Sequence, residues 1–165
     1  MNDKTSVTVD FLNQYRNKEV MFFPNPGNAG DALISCATMQ LFRRAGIKFN
    51  IITNYKDSEN KVVFIGGGGN LIDKYRDTKN FVNMVKNIAR EVIILPHTIR
   101  NNDTFLGGLG DNVTIFCREA KSYQYVLASN FKSKVMLAHD MAFNFSYEEL
   151  CCDKERLHNY RDALK

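Results

Sequence analysis

The chain has 165 residues, 44% of them hydrophobic and 24% charged, with a formal net charge of +4. That length supports one sizeable core and is marginal for two, and the near-average composition excludes intrinsic disorder and fibrous repeats. The basic residues are scattered, without the clustered stripe of a dedicated nucleic-acid binder, so the charge points only weakly to anionic ligands and no nucleic-acid partner is expected.

In chain order, Val20–Phe23 is the first short apolar run and reads as a strand. PNPGNAGDALI, Pro24 to Ile34, follows it. Gly27 and Gly30 permit tight or left-handed backbone there, and Asn28 or Asp31 suits the cap of a helix over Asp31–Ala45. In that helix Leu33, Ile34, Ala37, Leu41 and Phe42 recur at spacings of three and four, giving one apolar face, and Gly46 stops it. Phe49–Ile52 and Val62–Ile65 are the second and third strands. A helix over Lys79–Ala89 turns Phe81, Val82, Val85 and Ile88 inward, and Val92–Leu95 is the fourth strand, ended by Pro96. Val113–Phe116 is the fifth, a helix follows over Glu119–Ala128, and Lys134–Leu137 is a candidate sixth. Asn54–Lys61 and Asn101–Thr104 read as polar surface loops.

Strands and helices alternating at this spacing predict an α/β fold, Rossmann-like and doubly wound, with a mainly parallel sheet. Residues 1–145 form that domain, and 146–165 read as a linker or the start of a further half. Ligands in such sheets gather beyond the carboxyl ends of the strands, where the glycines, the prolines and two of the three histidines fall.

Each strand end carries a candidate and a plainer alternative. The Pro24–Ile34 loop can hold an anion at the helix amino end, or be only a capped turn. It lacks the Lys-Ser or Lys-Thr ending of a P-loop and the spacing of a dinucleotide fingerprint. Gly66 to Gly69, followed by Asn70, invites close approach of a ligand or second domain to bare backbone, or is a flexible turn. His97, aimed by Pro96, suits an acid, base or donor role, or is structural; Thr98 is its neutral companion. Arg118 can grip phosphate or carboxylate with two parallel hydrogen bonds, while Glu119 can pair with it merely to order the turn. Ser122 can cap or touch an anion, or sit on a helix surface. His139 and Asp140 stand between apolar residues at the last strand end, where Asp140 can accept from a sugar hydroxyl or cap a turn. His158 lies in a charged tail and reads as solvated.

The cysteines Cys36, Cys117, Cys151 and Cys152 fit neither a zinc site nor an obvious disulfide framework, and no cluster demands a metal. With no signal-like amino terminus and no apolar run of bilayer length, the expected location is the cytoplasm.

NPGNAGD, GGGGNL, LPHTI, FCREAKSY and AHDMAF occur in one order over about residues 20–143. That series resembles the polysaccharide pyruvyl transferase family. The resemblance implies a cleft between Rossmann-like halves similar to the GT-B glycosyltransferases. It also implies transfer of the enolpyruvyl carbons of phosphoenolpyruvate onto two hydroxyls of a sugar, as a ketal, in cell-surface polysaccharide (exopolysaccharide) biosynthesis. Phosphoenolpyruvate is then the donor substrate, with no further cofactor, and a glycan or lipid-linked saccharide the acceptor. By the same resemblance Arg118, His97 and Asp140 carry the chemistry, while Asn28, Gly30, Asp31, Gly67, Gly68, Gly69, Asn70, Glu119, Ser122 and His139 bind substrate. His97 stands where the family more often has Gln. Family members are usually much longer, which implies the amino-terminal half of a longer enzyme or a shortened member, as a homo-oligomer or with a partner supplying the second half. The same layout also suits a nucleotide-sugar-binding glycosyltransferase-like domain, and the short chain suits a non-catalytic binding module.

Overall fold

Strands that are apolar on both faces need cover on both sides. The computed structural model describes residues 4–129 and 132–151, and supplies that cover from helices alternating with strands. In order they are α1 (Lys4–Leu12), β1 (Glu19–Phe23), α2 (Ala29–Arg44), β2 (Lys48–Ile51), β3 (Val62–Ile65) and β4 (Gly68–Ile72). Then come α3 (Asp77–Val85), β5 (Glu91–Arg100), α4 (Asp103–Gly107), β6 (Val113–Cys117), α5 (Ala120–Ala128), β7 (Lys134–Leu137) and α6 (Tyr147–Cys151).

The seven-stranded sheet has the order β2-β1-β3-β5-β6-β7, with β4 also beside β5, and all these pairings are parallel. Alternate residues divide the core in two. Val20, Phe22, Val62, Phe64, Ile93, Leu95 and Phe116 meet Phe11 and Leu12 of α1 and Ile34, Leu41 and Phe42 of α2. Val63, Ile65, Val92, Ile94, Val113 and Ile115 meet Phe81, Val82 and Val85 of α3, Leu106 of α4 and Val126 of α5. The fold is therefore doubly wound α/β, as the alternation predicts. Phe42 ties α2 to the sheet through edge-on contacts with Phe22 (5.5 Å) and Phe64 (5.1 Å), each contributing about 1 kcal/mol beyond area burial.

Five local features differ from the sequence reading. α1 forms although Val7, Thr8 and Val9 are β-branched and poor helix formers; packing of Phe11 and Leu12 onto the sheet overrides propensity. Pro96 does not end its strand. β5 runs on to Arg100, and a register shift against β6 between Ile94 and His97 absorbs the missing N–H. The glycine run is not all loop: from Gly68 the chain is strand β4, continuing the line of β3 and pairing with the outer half of β5. Leu33, expected on the apolar face, is 42% exposed, and Asp103–Gly107 in the second polar stretch is helical.

β1 leads through α2 to β2 on one side, and the chain then crosses to β3 on the other. Strand order thus reverses between β1 and β3, the place where open α/β sheets leave a crevice. Among the described residues no helix is long and apolar enough to cross a membrane.

Candidate functional site

At that reversal the loops after β1 and β3 frame an open cleft of about 600 Å³. Its near wall is the start of α2. Asn28 Oδ1 accepts from Gly30 N (2.8 Å) and the Asp31 carboxylate accepts from Asn28 N (3.0 Å), a capping box that uses the polar side chains of NPGNAGD on its own backbone. Its far wall is Gly69, Asn70, Tyr75 and Asp77, and Arg118 lies at the inner end.

The glycines are required by close approach of the chain to itself. A Cβ on Gly66 would stand 2.6 Å from the Asn25 backbone nitrogen. Gly68 has φ +154°, and a Cβ there would fall 2.4 Å from Asn25 Nδ2. What packs on this bare backbone is the loop after β1.

Beneath the cleft runs a chain of polar side chains. Asn25 donates to Asp31 Oδ1 (3.1 Å), and Asn25 Oδ1 accepts from Asn70 Nδ2 (2.5 Å) and from the Thr78 hydroxyl (2.7 Å). Asn70 Nδ2 also reaches Thr78 Oγ1 (2.9 Å), and Asn70 Oδ1 faces His97 Nε2 (3.2 Å). The other ring nitrogen, Nδ1, stands 2.9 Å from the Leu95 carbonyl oxygen. Asn25, Thr78 and His97 are buried. Burial pushes His97 down to about 4, with the Arg118 charge adding to the effect and the Leu95 carbonyl and Asp140 opposing it.

Arg118 leaves β6 beside the outer half of β5, its N–H donating to the His97 carbonyl (3.1 Å). The guanidinium is held on two sides: Nε donates to Thr98 Oγ1 (2.7 Å) and Nη1 to Asp140 Oδ2 (2.7 Å). Asp140 is itself fixed by accepting from Ala142 N (2.9 Å). The third nitrogen, Nη2, makes no hydrogen bond among the described residues and lies against Gly69, where a Cβ would come within 3.2 Å. Behind it, Thr98 donates to Glu119 Oε2 (3.2 Å), and Ser122 donates to Glu119 Oε1 while accepting from Ile99 N (2.8 Å). Cys117, paired in register with His97, is pushed up to about 12 by burial and then by Glu119, so it stays a thiol and is no nucleophile.

Of the residues singled out from sequence, Asn28, Gly30, Asp31, Gly69, Asn70 and Arg118 line the cleft. His97 and Asp140 stand one contact behind it, through Asn70 and Arg118 respectively, and Glu119 stands two behind, through Thr98 and then Arg118. Gly67 packs under the Pro96 carbonyl and Gly68 under Asn25. Ser122 is fully buried, and His139 rests against Phe143 (5.3 Å between rings). His158 lies outside the described residues. Asn25, Tyr75, Asp77 and Thr78 were not among the sequence candidates. Asn25 sits between two prolines in a loop already suspected, but only folding brings Thr78 beneath the cleft. Among the described residues no three His, Cys, Asp or Glu side chains group as a metal site.

The cleft therefore offers one half-free guanidinium for an anionic group. Around it stand the carboxylates of Asp31 and Asp77 and the amides of Asn28 and Asn70, suited to hydroxyls.

The crystal structure of a functionally uncharacterized protein from Klebsiella pneumoniae is similar to this chain at 29% identity and a TM-score of 0.78. The similarity covers 90% of this chain and 60% of that one, so the chain spans less than two thirds of the relative's length. No curated protein sequence matches. The profile of the polysaccharide pyruvyl transferase family matches residues 28–163, which takes in both cleft walls, Arg118 and Asp140. The chain belongs to the polysaccharide pyruvyl transferase family.

Proposed function

We propose that this cleft is one wall of a pyruvyl transferase site that moves the enolpyruvyl carbons of phosphoenolpyruvate onto two hydroxyls of a saccharide. The observation that carries the reading is Arg118, clamped by Thr98 and Asp140 with Nη2 left over beside Gly69. Family membership supplies the reaction class. In the balanced reaction C2 of the donor loses its bond to the phosphate oxygen and its π bond to C3, and gains two bonds to sugar oxygens. Of the two hydroxyl protons, the equivalent of one ends on C3 and of the other on the released phosphate.

Arg118 binds the donor's phosphate or carboxylate and stabilises the charge that gathers on the leaving phosphate; being held in advance, it has little reorganisation to make. Asp140 and Thr98 position it. Asp31, Asp77, Asn28 and Asn70 meet the saccharide hydroxyls, so donor and acceptor are separated by charge along one cleft. Because the chain covers 60% of the Klebsiella structure, the reading includes a second half facing this wall, in a longer protein or on a partner. The cytoplasm, where phosphoenolpyruvate is made, is its place.

The test is to incubate the protein with phosphoenolpyruvate and glycan or lipid-linked acceptors, following phosphate release and a matching mass gain on the acceptor. Equal release of phosphate and gain of ketal is the expected result. Calorimetric binding of nucleotide sugars without binding of phosphoenolpyruvate overturns it in favour of a glycosyltransferase-like domain.

A further inference from the structure

The polar chain under the cleft ends in an acceptor at both ends. One end is the Asp31 carboxylate and the other is the Leu95 carbonyl. Between them stand three relays, Asn25, Asn70 and His97. Each amide gives a donor on one side and an acceptor on the other, and a neutral imidazole does the same. Three such relays cannot satisfy two acceptor ends. If Asn25 donates to Asp31, then Asn70 donates to Asn25 and its oxygen faces His97 Nε2, so both ring nitrogens look at acceptors. Turning both amides only moves the clash to Asp31. Thr78 does not relieve it, since its hydroxyl donates to Asn25 and accepts from Asn70. The network is short by one proton whichever way its amides point.

The groups around the ring are uneven. The Leu95 carbonyl and Asp140 favour a charge on it; burial and Arg118 oppose one. Cys117, facing it from β6, remains a neutral thiol. The opposition from Arg118 is the part a ligand can cancel, because an anion seated on Nη2 offsets the guanidinium charge. We propose that the relay is a one-proton device coupled to the cleft. An anion bound at Arg118 draws a proton from solvent onto His97 Nε2, the imidazolium closes both of its bonds, and Asn70 is thereby fixed in the cleft wall. His97 is then a positioning residue acting through Asn70. The inference rests on the donor-binding reading above, because it needs an anion at Arg118.

Proton uptake tests it. Phosphoenolpyruvate is titrated into the protein by calorimetry at about pH 6, in buffers of different ionisation enthalpy, alongside His97→Gln and Asp31→Asn. The donor's own protonation change is common to all three proteins, so differences between them report the relay. The wild type should take up a measurable fraction of a proton beyond His97→Gln, with the difference growing and affinity rising as pH falls. Asp31→Asn replaces the far acceptor with an amide that can donate, which lets a neutral relay close; it should bind without the extra proton. Because it alters an outer residue, it also serves if His97→Gln fails to fold. Binding with equal uptake in wild type and Asp31→Asn overturns the inference and leaves the donor reading standing. No binding to wild type overturns both.

Discussion

The relay under the cleft and the arginine cluster at its inner end are built at the outer ends of the same strands, yet they are finished differently. Asn25, Thr78 and His97 are buried, and each of their polar side-chain atoms has a neighbour within hydrogen-bonding distance. Arg118 is 30% exposed and one of its nitrogens has no partner among the described residues. Buried polar atoms without partners cost about 1–3 kcal/mol each, so the deep network has to be filled, while a guanidinium at the edge of solvent can keep a position open. The deep network gives every polar atom a neighbour, though it is one proton short, and so holds the loops; the guanidinium with an open position takes a ligand. Substitutions in the first should therefore act on stability, and in the second on binding.

The largest effect is expected at Gly68. Gly68→Ala places a methyl 2.4 Å from Asn25 Nδ2 at a positive φ, straining the backbone and parting Asn25 from its neighbours. Urea unfolding should show a loss of about 4 kcal/mol, and a loss within 1 kcal/mol of zero would break the assignment of this region to stability.

Acid is the next probe. His97 is held neutral in the ligand-free fold, down to about 4 from its ordinary 6.5, so between those values the unfolded chain binds a proton that the folded one does not. Stability is then full above pH 6.5 and falls as pH drops toward 4, by about 3 kcal/mol in all. Urea midpoints across that range should flatten in His97→Gln.

On the other side of the comparison, Arg118→Ala should weaken phosphoenolpyruvate binding by about a hundredfold, as expected for loss of a charge-assisted contact. Its unfolding free energy should change by only about 1 kcal/mol, since the pair with Asp140 is partly solvated. Calorimetry with circular dichroism separates the two, and a correctly folded variant with unchanged affinity would remove Arg118 from the site. Glu119→Gln is the mildest. It keeps the shape around Thr98 and Ser122 but drops the partly exposed ion pair with Arg100 and the long one with Arg118 (4.0 Å), for about 1 kcal/mol of stability and little change in donor affinity.

Strand-forming runs such as Val62–Ile65 and the apolar spacing of Phe81, Val82 and Val85 are local signals, and they foretold a parallel sheet covered on both faces. α1 was not legible, because its β-branched residues favour extended chain and only contact with the sheet makes it helical. Pro96 misled for a related reason: a missing N–H ends a ladder unless a register shift leaves that position unpaired, and the shift depends on β6. At the site, NPGNAGD and Arg118 stood out by residue type and position after a strand. Thr78 and Asn25 carry no such mark, since a buried threonine and a loop asparagine look ordinary until their partners are known.

By itself the sequence determined the alternation of elements, the placement of glycine and polar residues at strand ends, and membership of a family through five motifs in order. These follow from local periodicity and residue chemistry, which need no partner to be read. Tertiary structure alone decided that the glycines meet the chain's own loop, that His97 lies beneath the cleft facing two acceptors, and that one Arg118 nitrogen finds no partner among the described residues. Those are outcomes of contacts between segments far apart in sequence, such as Asn25 and Thr78, 53 residues apart, and hydrogen-bond closure is a property of the whole circuit, not of any residue in it.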